Sequence, residues 1–315
     1  MESANIKPDE RFQDGGDDVL NLKETRDAVT SEVTNYKYQN GRCYNIQPDG
    51  TEDEFAQVDM GQHVYGLLYK EKLFHSPTDS PSRVLDVGAG SGKWALDMGV
   101  MYPDATITGV DISDIQPPWT PENVKFDITD INKEWDFGEK FDLILVQGMA
   151  GMIKDWAYLS GQAMNTLISG GYLEIHDFLL ETTSDDKTLS GDSKLNRFNS
   201  DLLQGFKRTE KEYCAYIRIQ ETLERAGFLD IQRNMFYVPT NTWPMDQETS
   251  ELGEFRNLHY MEAIQGAIGF LTNLIGYTEK DAESFTESVQ AEVNNRRIHT
   301  YDVVRVFTAK KPDNY

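Results

Sequence analysis

Short apolar runs of strand length alternate with stretches of helical spacing between residues 83 and 176. That alternation predicts a parallel sheet covered by helices. The strands read as Arg83–Val87, Ala105–Val110, Val124–Ile128, Phe141–Val146 and Gly171–His176. Leu143-Ile144-Leu145-Val146 is apolar on both faces, as a central strand requires. Ahead of the sheet, Phe55, Val58, Val64, Leu67 and Leu68 recur at roughly helical spacing between Glu54 and Leu73. After Phe178 the period is lost, and Leu179–Thr209 is polar enough to read as a loop insertion. Tyr216, Ile219, Leu223 and Ala226 then mark a helix face that Gly227 closes. Phe228–Val238 and Val303–Lys310 read as a sixth and a seventh strand. Between them Pro239–His299 is largely helical, with Met261, Ile264, Ile268, Leu271 and Ile275 on one face at the spacing of core packing.

The ends of these strands carry the candidate chemistry. Arg83-Val84-Leu85-Asp86-Val87 runs into Gly88, Gly90 and Gly92 and then into a helix, giving the pattern D-x-G-x-G-x-G. Glycines let a ligand approach the backbone, and the helix behind them offers unpaired N–H groups. Open α/β sheets bind ligands at this edge. The dinucleotide pattern is G-x-G-x-x-G, and a carboxylate at Asp86 would repel a pyrophosphate. S-adenosylmethionine (SAM) therefore fits better than NAD, with Asp86 acting through water on its ammonium. Asp111 ends the second strand, where it can accept from the ribose hydroxyls, and Ile112 follows it. After the third strand Asp130 can accept from the adenine amino group while Ile131 packs on the ring. Gln147, after the fourth strand, can reach the sulfonium side. Ile115-Gln116-Pro117-Pro118-Trp119 is rigid and apolar, and Trp119 is expected to wall the adenine. The alternative readings are a structural glycine turn, a capping aspartate at 111, turn residues at 115–119 and 130, and a polar strand end at 147.

Composition narrows the partners. Thirty basic and fifty-three acidic residues leave a net charge of −23. That excess disfavours nucleic acid, whose binding depends on Lys and Arg, and anionic membrane surfaces. A small-molecule substrate or a protein partner is compatible with it. Cys43 and Cys214 lie far apart, the five histidines form no ligand cluster, and no metal site is expected. The N-terminus has no apolar signal core and no segment suits a bilayer, so a cytoplasmic protein is expected, or a nuclear one if its role is regulatory. Residues 1–33 are expected to be a mobile acidic tail, with a single domain over 34–315. Tyr36, Tyr38 and Tyr44 form a tyrosine-dense segment that is expected to cap the cofactor, with Tyr36 touching it.

Specific segments then point to a family. V-L-D-V-G-A-G-S-G-K-W-A-L-D from Val84 and G-V-D-I-S-D-I-Q-P-P-W-T-P-E-N-V-K-F from Gly109 resemble the fungal LaeA-like methyltransferases. So do the acid-rich turn before Glu134-Trp135, Met149 with Asp155-Trp156, and Ser169-Gly170-Gly171-Tyr172-Leu173-Glu174. Thr242-Trp243-Pro244-Met245-Asp246 and the closing Ala309-Lys310-Lys311-Pro312 extend the likeness from about Tyr36 to Pro312. The resemblance implies an α/β class I methyltransferase fold, Rossmann-like, with a seven-stranded mostly parallel sheet. It also implies an N-terminal cap and a helical lid inserted at about 239–299, before the last strand. The implied activity is SAM-dependent methyl transfer tied to natural-product biosynthesis or to its regulation. One departure stands out: many relatives carry a His-x-Arg-like stretch after strand four, where this chain has Gln147-Gly148-Met149-Ala150-Gly151.

Methyl transfer is an in-line displacement that needs alignment more than acid–base chemistry. If a hydroxyl acceptor uses a base, histidine is the natural candidate. His176 at the end of strand five, His259 on the lid and His63 in the N-terminal cap are the candidates, each with a structural alternative. Trp243, Met245, Phe255, Tyr260 and Met261 suggest an apolar acceptor pocket between the lid and the sheet's carboxyl edge. Three functions remain open: methylation of a small fungal metabolite, regulation through protein partners, and another reaction on a repurposed fold.

Overall fold

Val84, Leu85 and Val87 are wholly buried on both faces of one strand, and a seven-stranded sheet is built outward from it. The computed structural model describes residues 4–10, 36–39, 42–46, 52–53, 60–118, 120–209, 211, 213 and 218–314. In chain order the elements are β1 (Tyr36–Gln39), β2 (Arg42–Ile46), β3 (Glu52–Asp53), α1 (Met60–Tyr69), β4 (Arg83–Val87), α2 (Lys93–Met101), β5 (Thr106–Asp111) and β6 (Val124–Ile128). They continue with β7 (Phe141–Gln147), α3 (Trp156–Thr166), β8 (Leu167–Thr183), α4 (Lys194–Phe206), α5 (Ile219–Arg225) and β9 (Leu229–Pro239). The chain closes with α6 (Gln247–Gly266), short helical turns at Ile268–Phe270 and Leu271–Ile275, α7 (Glu279–Val293) and β10 (Tyr301–Lys310).

The large sheet has the order β6-β5-β4-β7-β8-β10-β9, with β4 to β8 joined in parallel register. Counted within the sheet, that order is 3-2-1-4-5-7-6, the class I methyltransferase arrangement expected from the sequence. The chain builds outward from β4 through β5 to β6 and then returns to the other side of β4 as β7, and the row of strand ends beside that switch is where such folds bind ligands.

The chain divides into two compact units. A sheet unit comprises Glu71–Phe178, Thr209–Met235 and Arg305–Tyr315. Its core packs Trp94, Ala95 and Met98 of α2 with Val84, Ile107, Leu143 and Leu145 of the strands. A helical unit comprises Met1–Lys70, Leu179–Arg208 and Phe236–Val304. In it Leu195 and Phe198 of α4 pack with Tyr260 and Ile264 of α6, Leu271, and Phe285 and Val289 of α7. Met261 and Ile268 pack against the same cluster, so the stripe read as core packing is core packing.

Two expectations are corrected here. Leu179–Thr209 is not a loop: β8 runs on to Thr183, and α4 occupies Lys194–Phe206. Its apolar residues are few but fall on one face, and Ser193 caps it by accepting the Asn196 N–H at 3.0 Å. Nor is the N-terminal segment wholly a free tail. The Met245 N–H donates to the Lys7 carbonyl at 3.0 Å, and the Asp9 N–H to the Trp243 carbonyl at 2.9 Å. β1, β2 and β3 form a small antiparallel sheet; the side chain of Tyr36, on β1, lies outside the described residues, as does Trp119.

Candidate active site

The end of β4 is shaped by backbone geometry. Gly88 has φ of 80° and donates its N–H to the Val110 carbonyl at 2.8 Å. A side chain there would be strained, and its Cβ would fall 2.4 Å from the Met149 sulfur. Gly92 has φ of 81° and opens α2; a Cβ there would meet the Phe126 ring. Gly90 between them, with φ of 53°, donates its N–H to Asp111 Oδ2 at 2.9 Å. The expected cofactor residues Gly88, Gly90, Gly92 and Asp111 are thus one assembly, and Asp111 tightens it from the end of β5.

Gln116, read in the sequence only as part of the segment 115–119, completes the assembly. Gln116 Nε2 donates to the Gly90 carbonyl at 2.6 Å and to the Ser113 carbonyl at 3.1 Å. The segment after Asp111 is therefore stapled to the glycine loop by an amide. Ile112 beside Asp111 is 70 % exposed, and Ile128, the register partner of Asp111 on the edge strand β6, is 66 % exposed. Two bare isoleucines flanking a carboxylate suit a flat ring attached to a diol. Ile128 could have been found from its place at the last position of an edge strand.

Other expected contacts fare differently. Asp86 is buried at the foot of the loop. Asp130 accepts the Asn132 N–H at 3.1 Å and lies 3.4 Å from the Lys133 ammonium. The Asn132 N–H leads the causes that hold its carboxyl below the usual range. Ile131, expected on the adenine ring, is only 6 % exposed, because protein atoms already cover it; its carbonyl accepts the Trp135 indole N–H at 3.0 Å.

The three histidines do not stand as free bases. His176 is wholly buried, with Nε2 2.8 Å from Glu174 Oε2 and Nδ1 3.2 Å from Gln147 Nε2. No ring nitrogen is left to take a proton from an acceptor. His259, on α6, receives an Arg256 N–H on Nδ1 at 2.9 Å. Burial, and then the Arg256 cation, push it down to about 3, too weak for a base at neutral pH. His63, on α1, packs edge-on against Phe255 with ring centroids 4.3 Å apart.

The apolar acceptor pocket is corrected as well. Trp243, Phe255 and Tyr260 are buried core residues; the Trp243 indole donates to the Thr300 carbonyl at 2.7 Å, and the Tyr260 hydroxyl lies 3.2 Å from Thr182 Oγ1. Met245, by contrast, is 63 % exposed. An open groove of about 670 Å³ in the helical unit, lined by Lys194, Arg197, Tyr277 and Phe285 among others, holds none of the expected site residues.

Comparisons with known proteins show which family the chain resembles. Residues 60–270 match the model of a family described as a methyltransferase domain. Methyltransferase pytC of Aspergillus terreus is 32 % identical over 294 residues, covering 90 % of this chain and 91 % of that protein. The chain belongs to the fungal LaeA-like methyltransferase family. Another member, the secondary metabolism regulator LAE1 of Cochliobolus heterostrophus, is 30 % identical, with 90 % of this chain and 97 % of that one covered. The protein-methionine methyltransferase laeA of Emericella nidulans is 28 % identical over 90 % of this chain and 78 % of its own. Among solved structures, the cyclopropane synthase MmaA2 of Mycobacterium tuberculosis has a TM-score of 0.48 at 18 % identity, covering 84 % of this chain and 92 % of that one.

This LaeA-like protein is a class I SAM-dependent methyltransferase, and SAM is its cofactor. The residues present fit that group: a left-handed glycine loop, the Asp111 carboxylate for a diol, and exposed isoleucines beside it. Among the described residues no cluster of His, Cys, Asp and Glu could hold a metal ion. No helix of the described residues is long and apolar enough to cross a membrane.

Proposed function

We propose that this protein transfers the methyl group of SAM to a small fungal metabolite. SAM supplies a sulfonium-activated methyl group, and the protein's work is binding, alignment and exclusion of water. Gly88, Gly90, Gly92 and Asp111 are the residues we assign to the nucleoside, with Ile112 and Ile128 on the adenine faces. Asp130 is assigned to the adenine amino group, Asp86 to the amino-acid end through water, and Gln147 to the sulfonium side. The observation that carries the cofactor assignment is the bond from the Gly90 N–H to Asp111, which makes loop and carboxylate one unit. The engagement of His63, His176 and His259 within the fold favours transfer by proximity, without a histidine base.

For the acceptor, the support is the net charge of −23, which disfavours nucleic acid. Further support is the match along 91 % of pytC, named simply a methyltransferase. Acceptor choice we assign to the helical stretch 239–299. The second reading, action on or through a protein, is favoured by two relatives whose names call them a secondary metabolism regulator and a protein-methionine methyltransferase. Incubation with methyl-labelled SAM and, separately, metabolite extract, mixed proteins and nucleic acid decides between them. Label in the extract alone supports the first reading; label in protein alone replaces it with the second.

A further inference from the structure

Two strand ends and a position within β8 lie side by side at the glycine loop. Val87 is the register partner of Val146, and Gln147 that of His176, so Gly88 and Gln147, where β4 and β7 end, lie in a row with His176, which β8 passes on its way to Thr183. Because β4 lies between β5 and β7, Asp111 and Gln147 flank the loop on opposite sides. If Asp111 serves the nucleoside, the far side of the loop belongs to the amino-acid end of the same ligand.

The row is held by a buried chain of hydrogen bonds. Glu174 and His176 are both wholly buried. Glu174 accepts the His75 N–H at 2.8 Å and 3.0 Å through its two oxygens, and also the Ser76 N–H. Burial alone would raise its carboxyl, but the bonds from His176, Ser76 and His75 outweigh it and hold the group below the usual range. An ionised carboxylate only accepts, so the proton of the His176 ring sits on Nε2, 2.8 Å from Glu174. In that tautomer Nδ1 carries a lone pair and takes an N–H from the Gln147 amide. With its nitrogen held in this way, the amide has its carbonyl oxygen Oε1 left to accept from a ligand. The donor molecule's amino-acid end has one strong N–H donor, its α-ammonium.

We propose that Glu174 and His176 are positioning residues that fix the Gln147 amide so that its Oε1 accepts from the α-ammonium of SAM. This rests on the SAM-site reading above. It gives the His176 position a task other than acid–base chemistry, and it explains how a chain with an uncharged stretch after β7 still grips the amino-acid end.

Calorimetry of the full chain with two ligands tests it: S-adenosylhomocysteine, and 5′-methylthioadenosine, which lacks the amino-acid end. Gln147→Ala, at a half-buried position, should weaken S-adenosylhomocysteine about tenfold or more, as loss of a hydrogen bond to a charged group implies, and leave 5′-methylthioadenosine unchanged. His176→Phe should show the same selectivity. His176→Gln should bind both ligands nearly as wild type does, because its amide can still donate to Glu174 and accept from Gln147. Nitrogen NMR of the ligand-free protein should show the His176 proton on Nε2. Equal losses for both ligands, no loss in Gln147→Ala, or a proton on Nδ1 would overturn the proposal while the SAM site stands. Failure of the wild type to bind S-adenosylhomocysteine would overturn both.

Discussion

Asp111 is the residue on which the proposed cofactor site turns. One oxygen accepts the Gly90 N–H and the other the Ser113 N–H at 2.9 Å, and each keeps a lone pair for a ribose hydroxyl. Replacing it with alanine should cost about 1–3 kcal/mol of S-adenosylhomocysteine binding, the range for a charge-assisted hydrogen bond. Calorimetry on the folded variant measures this, and unchanged affinity would remove Asp111 from the site. At this scale the sequence was readable wherever a residue's role follows from the backbone: the glycines and Asp111 announce themselves by spacing. It was unreadable where the role depends on which side chain a neighbouring strand supplies. Nothing in the spacing of Glu174, His176 and Gln147 says that they meet; the parallel register of β7 and β8 does. Ile131, expected to pack on the ring, is covered, whereas Ile128, read only as the end of a strand, is bare.

At the scale of elements, α4 shows what composition conceals. Lys194–Phe206 is polar overall, yet Leu195 and Phe198 are almost wholly buried against α6 and α7. A one-sided helix needs only a few apolar residues when each lands on the same face. Phe198→Ala should therefore destabilise the protein by about 3–5 kcal/mol, the usual cost of emptying an aromatic site in a core. Chemical denaturation checks it, and a change under about 1 kcal/mol would show that α4 is not part of the core. The long strands were read correctly in order but too short, because β8 continues past Asp177 into residues whose polarity resembles a loop. There Thr182 donates to Asp302 at 2.6 Å, and Asp302 holds Arg256 at 2.6 Å and 2.8 Å. A buried polar network of this kind makes strand residues look like surface in the sequence.

For the whole molecule, the fold class followed from the alternation of strands and helices, and the net charge of −23 set the partner classes. Stability against pH is set by groups whose burial the sequence does not show. His75 is pushed down to about 4, chiefly by burial, and His259 to about 3. Between the ordinary histidine value of 6.5 and those values the unfolded chain binds protons that the folded protein refuses. Their contribution to stability is complete above 6.5 and is lost as pH falls. Asp177 works the other way: burial raises it to about 7, so from there down to 3.8 the folded state gains a proton and stability. His259→Gln should flatten the fall in stability measured by denaturation from pH 7 to pH 4, and Asp177→Asn should steepen it. A variant curve parallel to the wild type would contradict the assignment.

The most direct measurement follows methyl-labelled SAM through one reaction series, with wild type and Asp111→Ala each offered metabolite extract, mixed proteins and nucleic acid in separate vessels. The account predicts label in a small, organic-extractable product with the wild type only, and none in protein or nucleic acid. Label in a protein band with none in the extract would contradict it.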